Sequence, residues 1–290
     1  MDSNESQVAV VMITFNRRPE VLRSLGHLTA LPERPPIVVI DNGSTDGTAE
    51  AIARRFPQVE VVPVGRNLGA AGRTLGVRRV ETPYVAFADD DTWWEPGGLR
   101  RAAELFDAHP RLATITGRVL IGPEERLDPA CTELARSPIP QQPGMPGPAL
   151  LGFLAGASVV RRSAFLEAGG FQSSLFIGGE EELLAVDLAT RGWWLCYVPD
   201  IVVHHYPSAQ RDAYNRRWHL VRNGLWFAWL RRPLSSALRK TLSAVRGAVR
   251  DRAVRRGLAA ALAGLPWALR QRRVVPPEVE RGLRLLDLPR

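Results

Sequence analysis

The stretch YVAFADDDTWWEP, residues 84–96, runs a β-rich apolar segment straight into three consecutive aspartates and then two tryptophans. Tyrosine, valine and phenylalanine favour a pleated, half-buried or buried strand, and the abrupt change to carboxylates marks where that strand leaves the core. Three runs of the same kind precede it: VAVVMITF (8–15), PIVVID (36–41) and VEVVPV (59–64). The segments between them, RRPEVLRSLGHLTAL, STDGTAEAIARRF and LGAAGRTLGVRRVE, space their apolar residues at helical intervals. Strand and helix in alternation predict an α/β fold, with a Rossmann-like, mostly parallel central sheet flanked by helices. Ligands of such sheets sit at the carboxyl ends of the strands, so the loops TFNRR, DNGSTDG, GRNLGAAG and DDDTWW become the place to look for a site.

Downstream, PGGLRRAAELFDAH reads as a helix and LATITGRVLI as a strand. Residues 122–149, with SPIPQQPGMPGP at their heart, read as a long loop or mobile flap. Structure resumes with LLGFLAGASVVRR, a helix from about Ser163, the turn GGF, a helix starting near Glu180, the strand WWLCYVPDIVVHH and a helix over about 209–230. From residue 231 to 290, apolar residues recur every three or four positions with arginines between them, which predicts a C-terminal basic amphipathic helical extension.

The chain has 290 residues, 45% of them apolar, enough for a substantial core. No apolar run reaches the roughly 20 residues of a membrane-spanning helix, and MDSNESQ lacks the parts of a signal peptide, so a cytoplasmic location is expected. Cys131 and Cys196 lack zinc-type spacing and read as reduced, packed thiols. The net charge of +8 is concentrated in the extension, where 15 Lys and Arg face 4 Asp and Glu, while residues 1–230 are slightly acidic. A nucleic-acid partner is therefore not expected. The extension either lies on an anionic membrane, which makes the protein peripheral on the inner face of the cell membrane, or packs as a helical hairpin with a solvated basic face.

Adjacent carboxylates repel, so three at a strand end invite a cation unless they form a solvated acidic turn. Oxygen ligands without a thiol nearby favour Mg²⁺ or Mn²⁺, and an ion held this way can clamp a diphosphate. Alternation along an extended chain would set Asp89 and Asp91 on one face and point Asp90 away. An EF-hand does not fit, because DDDTWWEPGG lacks its alternating ligands and terminal glutamate. A second acidic cluster, GGEEELLAVDLATRGWW, opens a helix at Glu180; three carboxylates exceed what capping needs, and a glutamate on a rigid helix start can serve as a base.

The blocks VVMITFNRRPEVLRSL, IVVIDNGSTDGT, GRNLGAAGRTLGVR, FADDDTWWEPGGL, GASVVRRSAFLEAGGF, GGEEELLAVDLATRGW and VPDIVVHH, in this order and spacing, resemble the family 2 glycosyltransferases, inverting enzymes of the GT-A fold. The resemblance covers about residues 8–225. It implies a catalytic domain over 1–230, with a nucleotide-sugar half at about 1–121 and an acceptor half at about 150–230. The implied donor is a UDP, dTDP or GDP sugar and the implied acceptor a hydroxyl; docking of the extension on a membrane would suit a lipid-linked glycan in bacterial cell-surface polysaccharide or glycoconjugate assembly. Thr14, Phe15, Arg17 and Asp41 would then hold base and ribose, with Asn67 near the nucleotide. Asp89 and Asp91 match the family's Asp-x-Asp motif, Asp91 as the direct ligand of Mg²⁺ or Mn²⁺ and Asp89 nearer the ribose or a metal-bound water. Either His204 or His205 matches a histidine that also touches the metal in some members. Glu181 stands at the catalytic aspartate of Gly-Glu-Asp, with Glu180 as substitute if the helix start is shifted, and Asp187 stands where many members carry arginine. Trp93, Trp94 and Trp193 are candidates to line the sugar or acceptor site, or else core anchors.

Other readings of such a sheet fare less well. No GGxGTRL-like loop follows the first strand as in a nucleotide-sugar pyrophosphorylase, and TFNRRP stands where a nicotinamide dehydrogenase needs G-x-G-x-x-G. Two alternatives stay open, a noncatalytic sugar- or membrane-binding protein on the same fold and a transferase for a soluble natural-product acceptor.

Overall fold

The computed structural model describes residues 6–207 and 213–288, with the side chains of 213–216 left out. In chain order the elements are β1 (Val8–Thr14), α1 (Arg18–Leu28), β2 (Ile37–Asp41), α2 (Thr48–Arg55), β3 (Glu60–Pro63), α3 (Gly72–Arg79), β4 (Tyr84–Asp89), β5 (Thr92–Trp94), α4 (Gly98–Ala108), β6 (Leu112–Ile121) and β7 (Arg126–Leu127). They continue as α5 (Pro129–Ala135), β8 (Ser158–Arg161), α6 (Arg162–Glu167), α7 (Glu180–Thr190), β9 (Trp194–His205), α8 (Ala213–Arg231), α9 (Leu234–Ala248), α10 (Arg252–Ala263), α11 (Leu265–Arg270) and α12 (Pro277–Leu286). The helix expected from about 209 begins, among the described residues, at Ala213; residues 208–212 lie outside them.

One sheet carries the order β3-β2-β1-β4-β8-β6-β9-β5, with β7 on β6. β1 to β4 run parallel, and side chains on both faces of β1 are buried, as a run of β-branched residues without alternation requires. Their register brings the strand ends together, because Thr14 lies beside Asp41 and Ile13 beside Asp89. β8 runs antiparallel between β4 and β6. β9 runs parallel to β6 and carries His204 and His205 back to the site edge, where they pair with Trp93 and Thr92 of β5. Where β6 and β9 shift register, a Cβ on Gly117 would lie 2.7 Å from the carbonyl oxygen of Ile201, so only glycine fits that approach.

The flap expected over residues 122–149 is a built segment. β7 pairs with the end of β6, and α5 is capped by Asp128, whose carboxylate accepts from the Ala130 N–H at 2.9 Å. The proline-rich chain beyond it is tied down by bridges from Ile139 to Ala149 and from Ala149 to Cys196 of β9. Proline removes donors and so suppresses regular elements, but it does not prevent an extended chain from lying against a strand. Cys131 and Cys196 are both buried and unpaired as disulfides, and burial pushes the Cys196 thiol up to about 12.

The main core fills the sheet and its helices, and a second apolar cluster joins Leu183 and Val186 of α7, Leu225 and Phe227 of α8, and Ala261, Ala268 and Leu283 from the extension. The extension is thus packed on the rest of the chain, with Trp226 donating to the Ala261 carbonyl at 3.0 Å. No helix among the described residues is long and apolar enough to cross a membrane.

Candidate active site

The three aspartates point in three directions, contrary to the expected alternation. β4 ends at Asp89, the chain turns through Asp90 and Asp91, and β5 starts at Thr92, so the two-residue period stops at the first aspartate. Asp89 forms an ion pair with Arg73 of α3. Asp90 turns back to the end of β1, where Thr14 Oγ1 donates to it at 3.2 Å. Burial, together with the neighbouring charge of Asp91, raises the Asp90 carboxyl to about 7, with Arg17 acting in the opposite sense. Asp91 faces β9, with His205 Nε2 3.6 Å from its Oδ1.

A divalent ion fits the pair of Asp91 and His205. Two ligands at about 2.1 Å from one ion lie between about 3.0 and 4.2 Å apart, and this pair lies within that span while its two side chains are mostly buried. Among the described residues no third His, Cys, Asp or Glu completes a group of three, so substrate oxygens would have to supply further ligands. His204 points elsewhere, stacking near Trp93 and lying 3.7 Å from Glu125 Oε1, as alternation along β9 demands.

The glutamates open α7. Gly178 and Gly179 both have positive φ, which lets the chain turn sharply into the helix. Glu180 is 3% exposed, and its Oε2 has no hydrogen-bond partner. It lines a cleft of about 440 Å³ between α3 and α7, together with Thr74, Leu75, Leu184 and Asp187. Burial and the charge of Glu181 raise Glu180 to about 8. Glu181 is also raised by burial, with the field of Asp89 adding to it and that of Arg73 opposing it. Of the two, Glu181 is thus the one that feels Asp89, while the Arg73 guanidinium lowers both.

The loops expected to carry a nucleotide are braced to one another. Asp41 is buried and accepts from the Ser44 N–H at 2.9 Å, and Asn16 Oδ1 accepts from the Thr45 N–H at 2.8 Å. Phe15 stands exposed at the rim and Arg17 is half-buried. Asn67 is exposed, with its Oδ1 accepting from the Gly69 N–H at 2.8 Å. Gly69 has a φ of +59°, and a Cβ there would lie 2.0 Å from the Phe176 carbonyl oxygen, which fixes the loop before α3 under the loop before α7.

The tryptophans divide by depth and place. Trp94 is buried in the core, its indole donating to the Phe87 carbonyl at 3.1 Å. Trp93 is sandwiched among His27 at 4.2 Å, Tyr206 at 4.7 Å and His204 at 5.7 Å, so it forms a floor beneath the site edge. Trp193 precedes the start of β9, at the opposite end of a 12-residue strand from His205, and does not join the group.

Three residues that sequence spacing did not single out complete the arrangement. Arg73 is buried and its Nε has no partner. Asn42 Nδ2 donates to the Gly69 carbonyl at 3.2 Å, tying the second loop to the third. Asn223 of α8 donates through Nδ2 to the carbonyls of Leu175, Ile177 and Gly178 at 2.8, 3.0 and 2.5 Å, and so clamps the segment that leads into Glu180. Asp187, at the position where arginine is common in the resembling family, receives a two-pronged contact from Arg231 at 2.6 and 2.9 Å, which docks α8 on α7.

Known proteins share this architecture. A mannosyltransferase from Pyrobaculum calidifontis, PcManGT, solved with GDP-Man and Mn²⁺, superposes with a TM-score of 0.58 at 20% identity, over 97% of this chain and 75% of that one. S. aureus TarS in complex with UDP superposes with a TM-score of 0.54 at 16% identity, over 98% of this chain and 93% of that one. By sequence, the N-acetylglucosaminyl-diphospho-decaprenol L-rhamnosyltransferase of Mycobacterium tuberculosis is 29% identical over 277 residues, 81% of this chain and 90% of that protein. The fold is therefore GT-A. Residues 9–169, more than half of the chain, match the profile described as Glycosyl transferase family 2, and the chain belongs to that family of nucleotide-sugar-dependent glycosyltransferases.

Proposed function

We propose that the protein is an inverting, divalent-metal-dependent transferase that moves a hexosyl or deoxyhexosyl unit from a nucleoside-diphosphate sugar to a hydroxyl of a lipid-diphosphate-linked sugar in envelope glycan assembly. The observation that carries this reading is the Arg73 guanidinium, which pairs with Asp89 at the aspartate turn while its charge lowers the Glu181 carboxyl at the start of α7. The acceptor class rests on the likeness to the mycobacterial rhamnosyltransferase, whose name specifies a sugar-diphosphate-polyprenol.

Thr14, Phe15, Arg17 and Asp41 hold the base and ribose in the braced loops, with Asn67 near the nucleotide and Asp89 nearer the ribose or a metal-bound water. Asp91 and His205 hold Mg²⁺ or Mn²⁺, which when bound offsets charge on the departing diphosphate. Glu181 takes the proton of the acceptor hydroxyl while that oxygen forms its bond to the anomeric carbon. The bond from that carbon to the diphosphate breaks in line, and the nucleoside diphosphate leaves with the electron pair. Glu180 lies one position along the helix and lines the neighbouring cleft, where burial and the charge of Glu181 raise it.

Calorimetric titration of UDP, dTDP and GDP with and without Mn²⁺, beside Asp91→Ala, tests the reading. One nucleotide is expected to bind in a metal-dependent manner, with the metal dependence lost in the variant. Failure of folded protein to bind any nucleotide would overturn the proposal and leave a noncatalytic protein on this fold.

A further inference from the structure

We propose that the outward face of α9 is a docking surface for an anionic phospholipid bilayer. The helix is amphipathic in the reverse of the usual sense. Its inward face is made of small residues, with Ser236 and Ala237 buried and Thr241, Ala244 and Gly247 half-buried against the rest of the chain. Its large apolar residues face outward: Leu234, Leu238, Leu242, Val245 and Val249 are 54, 52, 51, 47 and 81% exposed. Their spacing of four, four, three and four places them in one stripe down the helix. A water-facing helix normally presents polar residues there, so the stripe is an apolar surface in want of cover.

The flank of the stripe states what covers it. On a helical wheel Arg239, Arg246 and Arg250 fall together along one side of the stripe, and all three are exposed. No acidic residue occurs from Arg231 to Arg250. Apolar side chains set into the acyl boundary beside arginines that reach the headgroups are the arrangement by which a helix lies on an anionic bilayer. An antiparallel second copy of the same face would bring the arginine rows against each other, a parallel one would offer them no acidic partner from this segment, and a nucleic acid would neutralise the arginines while leaving the leucines in water. Lys240 takes no part, since its side chain lies against Gly224 of α8 and its charge acts on Glu182.

The proposal rests on α9 alone and goes beyond the transferase reading. α9 packs on α8, the helix whose Asn223 holds the segment before Glu180, so docking would place the bilayer one helix away from that segment.

Full-length protein is sedimented with vesicles of phosphatidylcholine alone and of phosphatidylcholine with about a quarter phosphatidylglycerol, at low and physiological salt. The same is done for Leu238→Glu/Leu242→Glu and for Arg246→Glu/Arg250→Glu, each first matched to wild type in thermal midpoint. The expected result is selective, salt-weakened binding to the anionic vesicles that falls at least about tenfold in both variants. Absence of binding, equal binding by the leucine variant, or a lipid-free dimer seen by light scattering that the leucine variant abolishes would each overturn the proposal. Nucleotide titration of the same samples separates the two readings, because loss of nucleotide binding alone counts against the transferase and leaves the docking surface standing.

Discussion

Arg73 has three carboxylates to reconcile, those of Asp89, Glu180 and Glu181, where Arg73 and Glu180 are buried and Asp89 is partly open to water. Like charges at such separations hold protons that isolated acids would release, and a buried guanidinium is the only cation that the described contacts set among them. A base must be ionised to act, so the rate of transfer should rise with pH as Glu181 loses its proton. That limb should lie above the ordinary carboxylate range, because burial raises the group. Arg73 lowers both glutamates, so Arg73→Met should move the limb further toward alkaline pH. Activity near pH 7 then falls and is partly regained at higher pH, as a profile of kcat/KM against pH would show. A purely structural role for Arg73 would lower the rate equally at every pH. Glu181→Gln removes the proposed base without changing shape, and kcat should drop by about 10² to 10⁴ while calorimetric nucleotide affinity stays near wild type.

At the scale of elements, α8 acts as a clamp on the start of α7. One amide, that of Asn223, satisfies three carbonyls between Leu175 and Gly178, and Arg222 adds a bond to the Leu175 carbonyl at 2.8 Å. The same segment contains Phe176 at a φ of +64°, a conformation that a bulky residue holds only when its surroundings impose it. Asn223→Ala takes this donor from the Ile177 and Gly178 carbonyls, while Leu175 keeps its bond from Arg222, at a cost of about 1–3 kcal/mol. The segment should relax, lowering kcat more than it changes the KM for donor, and steady-state kinetics against both substrates would separate the two effects. None of this clamp is legible in the sequence, since RNG at 222–224 looks like any polar turn of a helix. What is legible follows from local periodicity. β1 to β4 announce themselves as apolar runs between amphipathic helices, and parallel pairing then forces Thr14, Asp41 and Asp89 to one edge. The directions of the three aspartates are not legible, because they depend on a turn that begins inside the triplet. Nor is the order in residues 122–149, where prolines hide the bridges to β9 that hold the chain in place. The choice between His204 and His205, open in the sequence, depends on which of two alternating side chains meets Asp91.

At the scale of the whole molecule, two apolar clusters meet along α7, and α8 and the extension are fixed to the second of them. Beside the apolar contacts stands a buried ion pair, in which Arg232 donates to both oxygens of Glu280 at 3.1 Å while Arg284 and Ser236 also reach that carboxylate. Burial alone would raise the Glu280 carboxyl, but the hydrogen bonds from Arg232 and Arg284 outweigh it and hold the group below its ordinary value. A carboxylate depressed in the folded state adds stability that is fully present above its unfolded pKa of about 4.3 and is lost as pH falls through the folded value. Acid should therefore loosen the extension through this pair. Glu280→Gln should cost about 3 kcal/mol near neutral pH, the lower end of the range for stripping one partner from a buried pair, because Asp287 still holds Arg232 at 2.6 Å. The variant should also lose part of the acid sensitivity that wild type shows below pH 4.3. Urea unfolding followed by tryptophan fluorescence at pH 7 and in mild acid reads both effects, since Trp226, Trp229 and Trp267 all lie at the extension. If the stability gap between wild type and variant stays the same as the pH falls, the pair does not carry the linkage, and apolar packing of α10 to α12 holds the extension by itself.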